Sequence, residues 1–355
     1  MCRPNAVASI FWPIVIAGAS AVAVAADGSG PYLRRNFRDE EYPGAKSATG
    51  EGVTSLASIV RGLLIQGHTI ASRVAVLVST LMIVLPTAMV WAQDGSIAPI
   101  AAVTLAAHRA IYELSLDQTR GDSQISAVRG RIVYDFDGNA CDGYSLEFRQ
   151  LSRLESGEGK VSTSDLHSTT WEGGDAKKFK FNSQNFVDEN LVDAVDGQAE
   201  HGATVTAVDL TKPEHKTLSL DPAVVFPTEH MVRAIAAGLA GKNVLSFPVF
   251  DGSEKGDKVF NTLTVVGHKI APNARRHDDA AANEPKLANV ARWPVTISYF
   301  SSDKAPESGE ITPDYAIGFE LYQNGISRAL SLDYNDFVVT GKLTSLEFKP
   351  AKPCH

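Results

Sequence analysis

The chain is poor in the residue patterns that most often carry chemistry. Only 3 of its 355 residues are cysteine and 4 are methionine. It has no Gly-x-Ser-x-Gly elbow, no His-Glu-x-x-His pair, no Cys-x-x-Cys and no glycine-rich phosphate loop. The usual sequence marks of a serine hydrolase, a zinc protease, a thiol redox enzyme and a nucleotide binder are therefore missing. Beyond residue 92 the histidines are scattered singly: His108, His167, His201, His215, His230, His268, His277 and His355. None forms the close pair that a metal site needs, so no metal and no cofactor are expected. A basic cluster is lacking too. Residues 1–92 hold 7 of the 33 Lys and Arg and 5 of the 41 Asp and Glu, which leaves a net charge of −10 on the rest. Nucleic acid is excluded as a partner, because phosphate neutralisation supplies most of that affinity.

Two apolar runs stand at the N-terminal end, residues 6–26 and 74–92. The second has the layout of a secretory signal: Arg61 and Arg73 ahead, an apolar stretch up to Leu85, Pro86 as a breaker, and Val90-Trp91-Ala92 as a small-residue cleavage site. Cleavage is expected after Ala92, giving residues 73–92 as signal peptide and 93–355 as one exported domain. Two readings compete for residues 1–72. Either 6–26 is a membrane anchor of spanning length, or the true start lies further on and the stretch is an extension without structure. The second is favoured, since a signal peptide seldom begins some seventy residues in.

Export leaves an even pair, Cys141 and Cys354. An oxidising compartment permits a disulfide between them, with two free buried thiols as the alternative. Such a bridge would close a loop of over 200 residues and restrict the unfolded chain by on the order of 5 kcal/mol.

The folded part is organised around residues 125–151, ISAVRGRIVYDFDGNACDGYSLEFRQL. Ile132, Tyr134 and Phe136 alternate with Arg131, Val133 and Asp135, and Tyr144, Leu146 and Phe148 alternate with Ser145, Glu147 and Arg149. Period-two patterning of this kind means strands with one buried face, and Asp137-Gly138-Asn139 reads as the turn between them. The same rhythm continues almost to the end. Residues 193–202 read as a turn region, Asn324-Gly325 as a tight hairpin, and 337–340 and 343–348 as a last pair of strands. In all, the pattern predicts about thirteen strands in an all-β sandwich or barrel. One segment breaks it. Phe226-Pro227, with Thr228 as N-cap, opens a helix of about three turns whose Met231, Val232, Ile235 and Leu239 share a face before Gly241 ends it. A stripe that short needs a sheet to lie on, so the helix is expected as a plug or lid. Residues 271–291 are polar and patternless and read as a mobile loop.

Three constellations are candidate sites. Asp135, Asp137, Asn139 and Asp142 resemble a calcium loop, but Gly138 is misplaced and no twelfth-position Glu follows, so a hairpin turn is the better reading. His230 beside Glu229 at a helix start has its charged form disfavoured, yet no nucleophile accompanies it and packing is favoured. The aromatics Tyr112, Tyr134, Phe136, Tyr144, Phe148, Phe179, Phe181, Trp293, Tyr299 and Phe319 all take alternating strand positions. They are candidate lining for an apolar cavity, or they fill a core; core filling is favoured.

Several of these runs together carry a resemblance. AHRAIYELSL, GRIVYDFDGNACDGY, FPTEH, VFDGSEKGDKVFNT and a cysteine near the C-terminus, in this order from about His108 to Cys354, resemble the EipB family of periplasmic cell-envelope-integrity proteins. The resemblance implies an open, spiral-like antiparallel β-barrel with one amphipathic helix, and a disulfide that Cys141 and Cys354 match. It also implies a periplasmic role in envelope integrity exerted through protein partners; since the residues show no catalytic apparatus, a non-enzymatic factor that binds envelope partner proteins is the expectation. A carrier of lipid or lipoprotein acyl chains, with the helix as a moving lid, is the alternative. The mature protein is expected to be membrane-adjacent but soluble. An envelope hydrolase is the weakest reading, because it needs a clustered acid, base and nucleophile.

Overall fold

A computed structural model describes residues 11–12, 16–17, 103–272, 274, 278–301 and 311–354. The expected signal, its cleavage after Ala92 and nearly all of residues 1–92 lie outside the described residues. Phe11–Trp12 (β1) and Ile16–Ala17 (β2) form a two-stranded antiparallel pairing. Everything that follows concerns the unit that contains residues 103–354.

From β3 (His108–Thr119) the chain runs up and down through β4 (Ile125–Asn139), β5 (Gly143–Ser156), β6 (Val161–Glu172), β7 (Lys178–Val187), β8 (Asn190–His201), β9 (Thr206–Lys212) and β10 (Lys216–Leu220). The helix α1 (Pro227–Leu239) comes next. After it the strands resume as β11 (Val244–Val249), β12 (Phe260–Val266), β13 (Arg292–Ser301), β14 (Tyr315–Tyr322), β15 (Ser327–Asp333) and β16 (Phe337–Phe348). Each strand pairs antiparallel with its sequence neighbour, and the two ends of the chain close the series because β16 pairs with β3. The result is one 14-stranded sheet whose two edges are β10 and β11, the strands that flank the helix. It is a barrel cut open at one place, and the helix, which joins the two edge strands in the chain, packs against β11 and β12.

The interior follows from the alternation. Tyr112, Ile132, Tyr134, Phe136, Leu146, Val295, Ile297, Tyr299, Ile317, Phe319 and Leu332 face inward in one large core that also receives Met231, Val232 and Ile235 of α1. A second, smaller core holds Phe179 and Phe181 of β7 with Val195, Val208, Leu210, Phe226 and Phe250.

Five expectations are corrected here. The turn of the central hairpin is Ala140 to Asp142, and Asp137 to Asn139 belong to β4; Asn139 Oδ1 accepts the N–H groups of Cys141 (2.7 Å) and Asp142 (2.8 Å), which moves the reversal two residues on. Residues 193–202 are not a turn but most of β8, with Val195 and Ala199 buried. The last two strands are one, β16, bent by a bulge between Leu343 and Ser345. Thr228 is not the N-cap. Phe226 takes that position and Pro227 is the first helical residue, where a fixed φ and a missing N–H cost nothing. Finally, residues 278–291 are not a patternless loop. They form two short 3₁₀ turns and bury Asp279, Ala281 and Leu287. Asp279 pairs with the buried Arg328 of β15 at 2.7 Å, so this segment docks on the sheet through a buried ion pair; just before it, Ala274 O accepts from Arg292 Nη2 at 2.9 Å.

Candidate functional site

The cut between β10 and β11 gathers more of the chain's unusual groups than any other place. The only strand-like link beside the cut is a parallel bridge: the Val225 N–H donates to Pro248 O (2.8 Å) and the Phe250 N–H donates to Val225 O (3.0 Å). Behind it Phe226 stacks on Phe179 (5.3 Å) and Phe250 meets Phe181 edge-on (5.6 Å), so the residues on either side of the cut meet on β7. The loop after β11 then crosses the inner face of β7, β8 and β9. A Cβ on Gly252 would stand 2.5 Å from the Phe181 ring, and one on Gly256 would stand 2.7 Å from Leu210; both glycines also have positive φ. Lys216 of β10 reaches Asp257 of this loop at 2.8 Å.

At the helix start the free backbone donors are met from a distance. Glu172, the last residue of β6, accepts the Thr228 N–H (2.7 Å) and the Glu229 N–H (2.8 Å) on its two carboxyl oxygens. These are the second and third helical residues, the donors that a local cap normally satisfies. Glu172 is buried, and burial pushes its carboxyl up to about 8 in spite of the two N–H bonds; the charge on Glu229 adds to the rise. Glu229 pairs with Arg233 one turn on. At the other end Gly241, at φ +69°, lets the Lys242 N–H reach Ala237 O (2.8 Å), a Schellman closure.

His230 is fully buried, and its Nε2 lies 2.8 Å from the Thr264 hydroxyl on β12. Burial lowers its pKa to about 3, with Arg233 helping, so it is a neutral packing residue at pH 7. Asp251 is buried as well; its carboxyl accepts the Ser253 N–H (3.0 Å) and is pushed up to about 7 by burial. His108, buried at the start of β3 and lowered to about 4 by desolvation, stacks on Tyr134 at 5.5 Å. His268 is exposed after β12. These histidines sit on separate elements, and among the described residues no group of three or more His, Cys, Asp and Glu is placed to hold a metal. The carboxylates of the calcium-like run are tied to the C-terminal tail: Asp135 to Lys349 and Asp137 to Lys352 (2.7 Å).

All ten candidate aromatics are buried, with exposures of 0 to 7 %. Tyr134, Phe136 and Tyr144 stack in a row (6.1 and 5.4 Å), Phe179 and Phe181 stand at the cut, and Tyr299 stacks on Tyr315 at 4.4 Å. Trp293 lies so close under the helix that a Cβ on Gly238 would be 2.8 Å from its ring. Of the four lid residues, Met231, Val232 and Ile235 are buried in the large core. Leu239 is 42 % exposed, because residues 239–241 of the chain have already left the sheet. On the outer face a concavity of about 350 Å³ lies among Arg109, Asp135, Glu147, Arg149 and His167. Arg109 faces Asp135 at 3.9 Å, and Asp165 takes Arg149 through two hydrogen bonds (2.9 and 2.7 Å).

Diametrically across the strand order, Cys141 and Cys354 form a disulfide with their Cα atoms 5.4 Å apart. The pairing was legible in the sequence. Glu172 was not, since nothing local marks a glutamate that caps a helix 56 residues further on.

Residues 99–350 match the model of a family described as EipB-like. Over 262 residues the chain is 41 % identical to the cell envelope integrity protein EipB of Brucella abortus (strain 2308), covering 74 % of this chain and 91 % of that protein. A crystal structure of a beta-barrel-like protein of a domain of unknown function from Brucella abortus is similar with a TM-score of 0.65 at 41 % identity, covering 70 % of this chain and 100 % of that one.

Proposed function

The chain belongs to the EipB-like family, and we propose that it is a non-enzymatic periplasmic factor that maintains the cell envelope by binding other envelope proteins. The observation that carries this reading is the 41 % identity to a cell envelope integrity protein over nearly that protein's whole length. The state of the titratable groups at the cut favours binding over catalysis. Glu172 is engaged with backbone N–H groups, Glu229 with Arg233 and His230 with Thr264. A hydrolytic site needs an acid, a base and a nucleophile within reach of one another and of solvent.

In this reading the chain is exported, cut after Ala92, and joined through its disulfide in the periplasm. The test is a deletion in the native host. Loss of resistance to detergents and to envelope-directed antibiotics, restored by the wild-type chain, is the expected result, and an unchanged envelope would sink the reading. Site-specific photo-crosslinking from exposed strand positions should then give discrete adducts with envelope proteins.

A carrier of lipid or lipoprotein acyl chains is the second reading. What favours it is the apolar face of α1 laid over an aromatic-rich interior at an open edge. Native mass spectrometry of protein drawn from the periplasm separates the two: a lipid-sized adduct supports the carrier, and bare protein that also refuses acyl probes removes it.

A further inference from the structure

The two edges of the open sheet are not alike, and the difference points to a site. On β10 the outward side chains are Thr217 and Ser219, Leu218 and Leu220 turn into the small core, and Lys216 is pinned to Asp257. That edge is short, polar and guarded, as edges of soluble sheets usually are. On the β11 side apolar residues stand in the outward row beside the exposed Ser246. Val244 is 61 % exposed, and its register partner Val265 is 42 % exposed; Leu263 on the same face is 38 % exposed.

The backbone polarity of β11 follows from two bonds. Pro248 O and the Phe250 N–H point away from β12, since both are bonded to Val225. In an antiparallel strand the N–H and C=O of a residue point the same way and alternate along the chain. Val244 and Ser246 therefore aim their N–H and C=O groups at the open edge, and among the described residues nothing pairs with them. At the same end stand Lys242 just before β11 and His268 and Lys269 just after β12. In a chain with a net charge of −8, counted with histidine neutral, the exposed Lys269 beside an apolar edge is a local reversal of sign.

We propose that the Val244 to Phe247 edge of β11 accepts an extended segment of a partner protein as an added strand. The segment has apolar residues at alternate positions and acidic residues at the end that lies against His268 and Lys269. The inference rests on the partner-binding reading above and names the chemistry of the partner. Main-chain hydrogen bonds to Val244 and Ser246 supply affinity, contact with Val244 supplies the apolar preference, and the basic rim selects the flank. A membrane surface would satisfy the apolar row and the rim but would leave the strand's N–H and C=O groups without partners.

The probe is a fluorescent peptide of alternating Val and Thr with Asp and Glu at both ends, which leaves strand direction open; binding to the purified protein is read by anisotropy. Saturable binding is expected, weaker for the same peptide ended with Lys and weaker at high salt. Ser246→Pro removes one outward N–H on an edge where proline is tolerated, and should weaken binding by about tenfold. Val244→Glu, at an exposed position with little bearing on folding, should weaken it as well. Absence of saturable binding, or affinities unchanged in both variants, overturns the proposal. So does Val244-dependent binding to vesicles of anionic lipid without peptide binding, which would make this patch a membrane contact. If photo-crosslinking in cells gives the same adducts with Ser246→Pro as with wild type, the edge is excluded while the partner-binding reading stands.

Discussion

The chain joins distant parts of itself at two places, and it does so by opposite means. At the seam between β3 and β16 the register runs from Phe337 opposite Thr119 to Phe348 opposite His108. The disulfide, the Lys352–Asp137 pair and the bond from the Lys349 N–H to Ala107 O (2.9 Å) lie beyond it. At the cut between β10 and β11 no strands pair. A helix, an aromatic cluster and one buried carboxylate do the joining. The seam is held by periodic backbone bonds and a covalent cross-link, so its stability is spread over many equivalent contacts. The cut is held by the short backbone bridge at Val225 and by a few side-chain contacts, each made once. A barrel built this way has a fixed side and an open side, and the open side is where the β11 edge lies and where the helix follows β10 in the chain.

Breaking the seam should give the largest effect, and it should be global. Cys354→Ser or Cys141→Ser is expected to lower stability by about 2–5 kcal/mol, chiefly by freeing the unfolded chain. Denaturant titration under oxidising conditions measures it, and an unchanged midpoint would mean that the cross-link adds nothing to the β3–β16 pairing. The next largest effect belongs to the cut. Gly252→Ala combines a left-handed φ of +74° with a Cβ 2.5 Å from the Phe181 ring. Backbone strain of about 1–2 kcal/mol and overpacking of about 1–3 kcal/mol add to an expected loss of roughly 2–5 kcal/mol. Glu172→Ala comes third. Leaving the Thr228 and Glu229 N–H groups unbonded in a buried place costs about 1–3 kcal/mol for each group, offset in part because the burial that pushes the Glu172 carboxyl up is relieved. Here the comparison sharpens: hydrogen exchange should rise in α1 and at Phe226 while the β3 and β16 amides stay protected, a local opening. Equal loss of protection at the seam would mean that the two regions are one cooperative unit.

The fixed side was far easier to read from sequence than the open one. Strands such as β4 and β5 bury one face along their whole length, so period two is written plainly at Ile132, Tyr134, Phe136, Tyr144, Leu146 and Phe148. β8 escaped because Asp193, Asp196 and Gly197 look like turn residues. Only Val195 and Ala199 are turned fully inward there, and Gly197 is present because Asp209 and Leu210 stand within 2.8 Å of where a Cβ would be. The helix was legible from its stripe, but its cap was not: Thr228 is a good local candidate, and the sheet supplies a better acceptor from β6. The docking of residues 278–291 was hidden for the same reason, since an aspartate in an alanine-rich polar run gives no sign of the arginine it will meet 49 positions later at Arg328. Local patterns reveal elements; single long-range polar contacts, which set the site, leave no periodicity.

The smallest expected effect separates the two regions by pH. Glu172 titrates near 8 when folded against an ordinary 4.5, and Asp251 near 7 against 3.8, so the folded state holds protons that the unfolded chain has released. Their contribution is complete below the ordinary carboxylate values and is lost as pH rises through the folded ones. His108 and His230, lowered to about 4 and about 3, contribute nothing to the slope above their ordinary 6.5. Above pH 7 the remaining decline in Tm therefore belongs mostly to Glu172, and Glu172→Gln should flatten it. At the seam the sign is reversed. The Lys352 ammonium bonded to Asp137 holds that carboxyl below its usual value, so this contribution is present in neutral solution and is lost only as pH falls below about 4. Alkali loosens the cut through Glu172 and Asp251, while acid weakens the seam through Asp137 and, below pH 6.5, works against the buried neutral His108 and His230; parallel pH profiles for wild type and Glu172→Gln between pH 7 and 8 would show that the helix cap carries no buried proton.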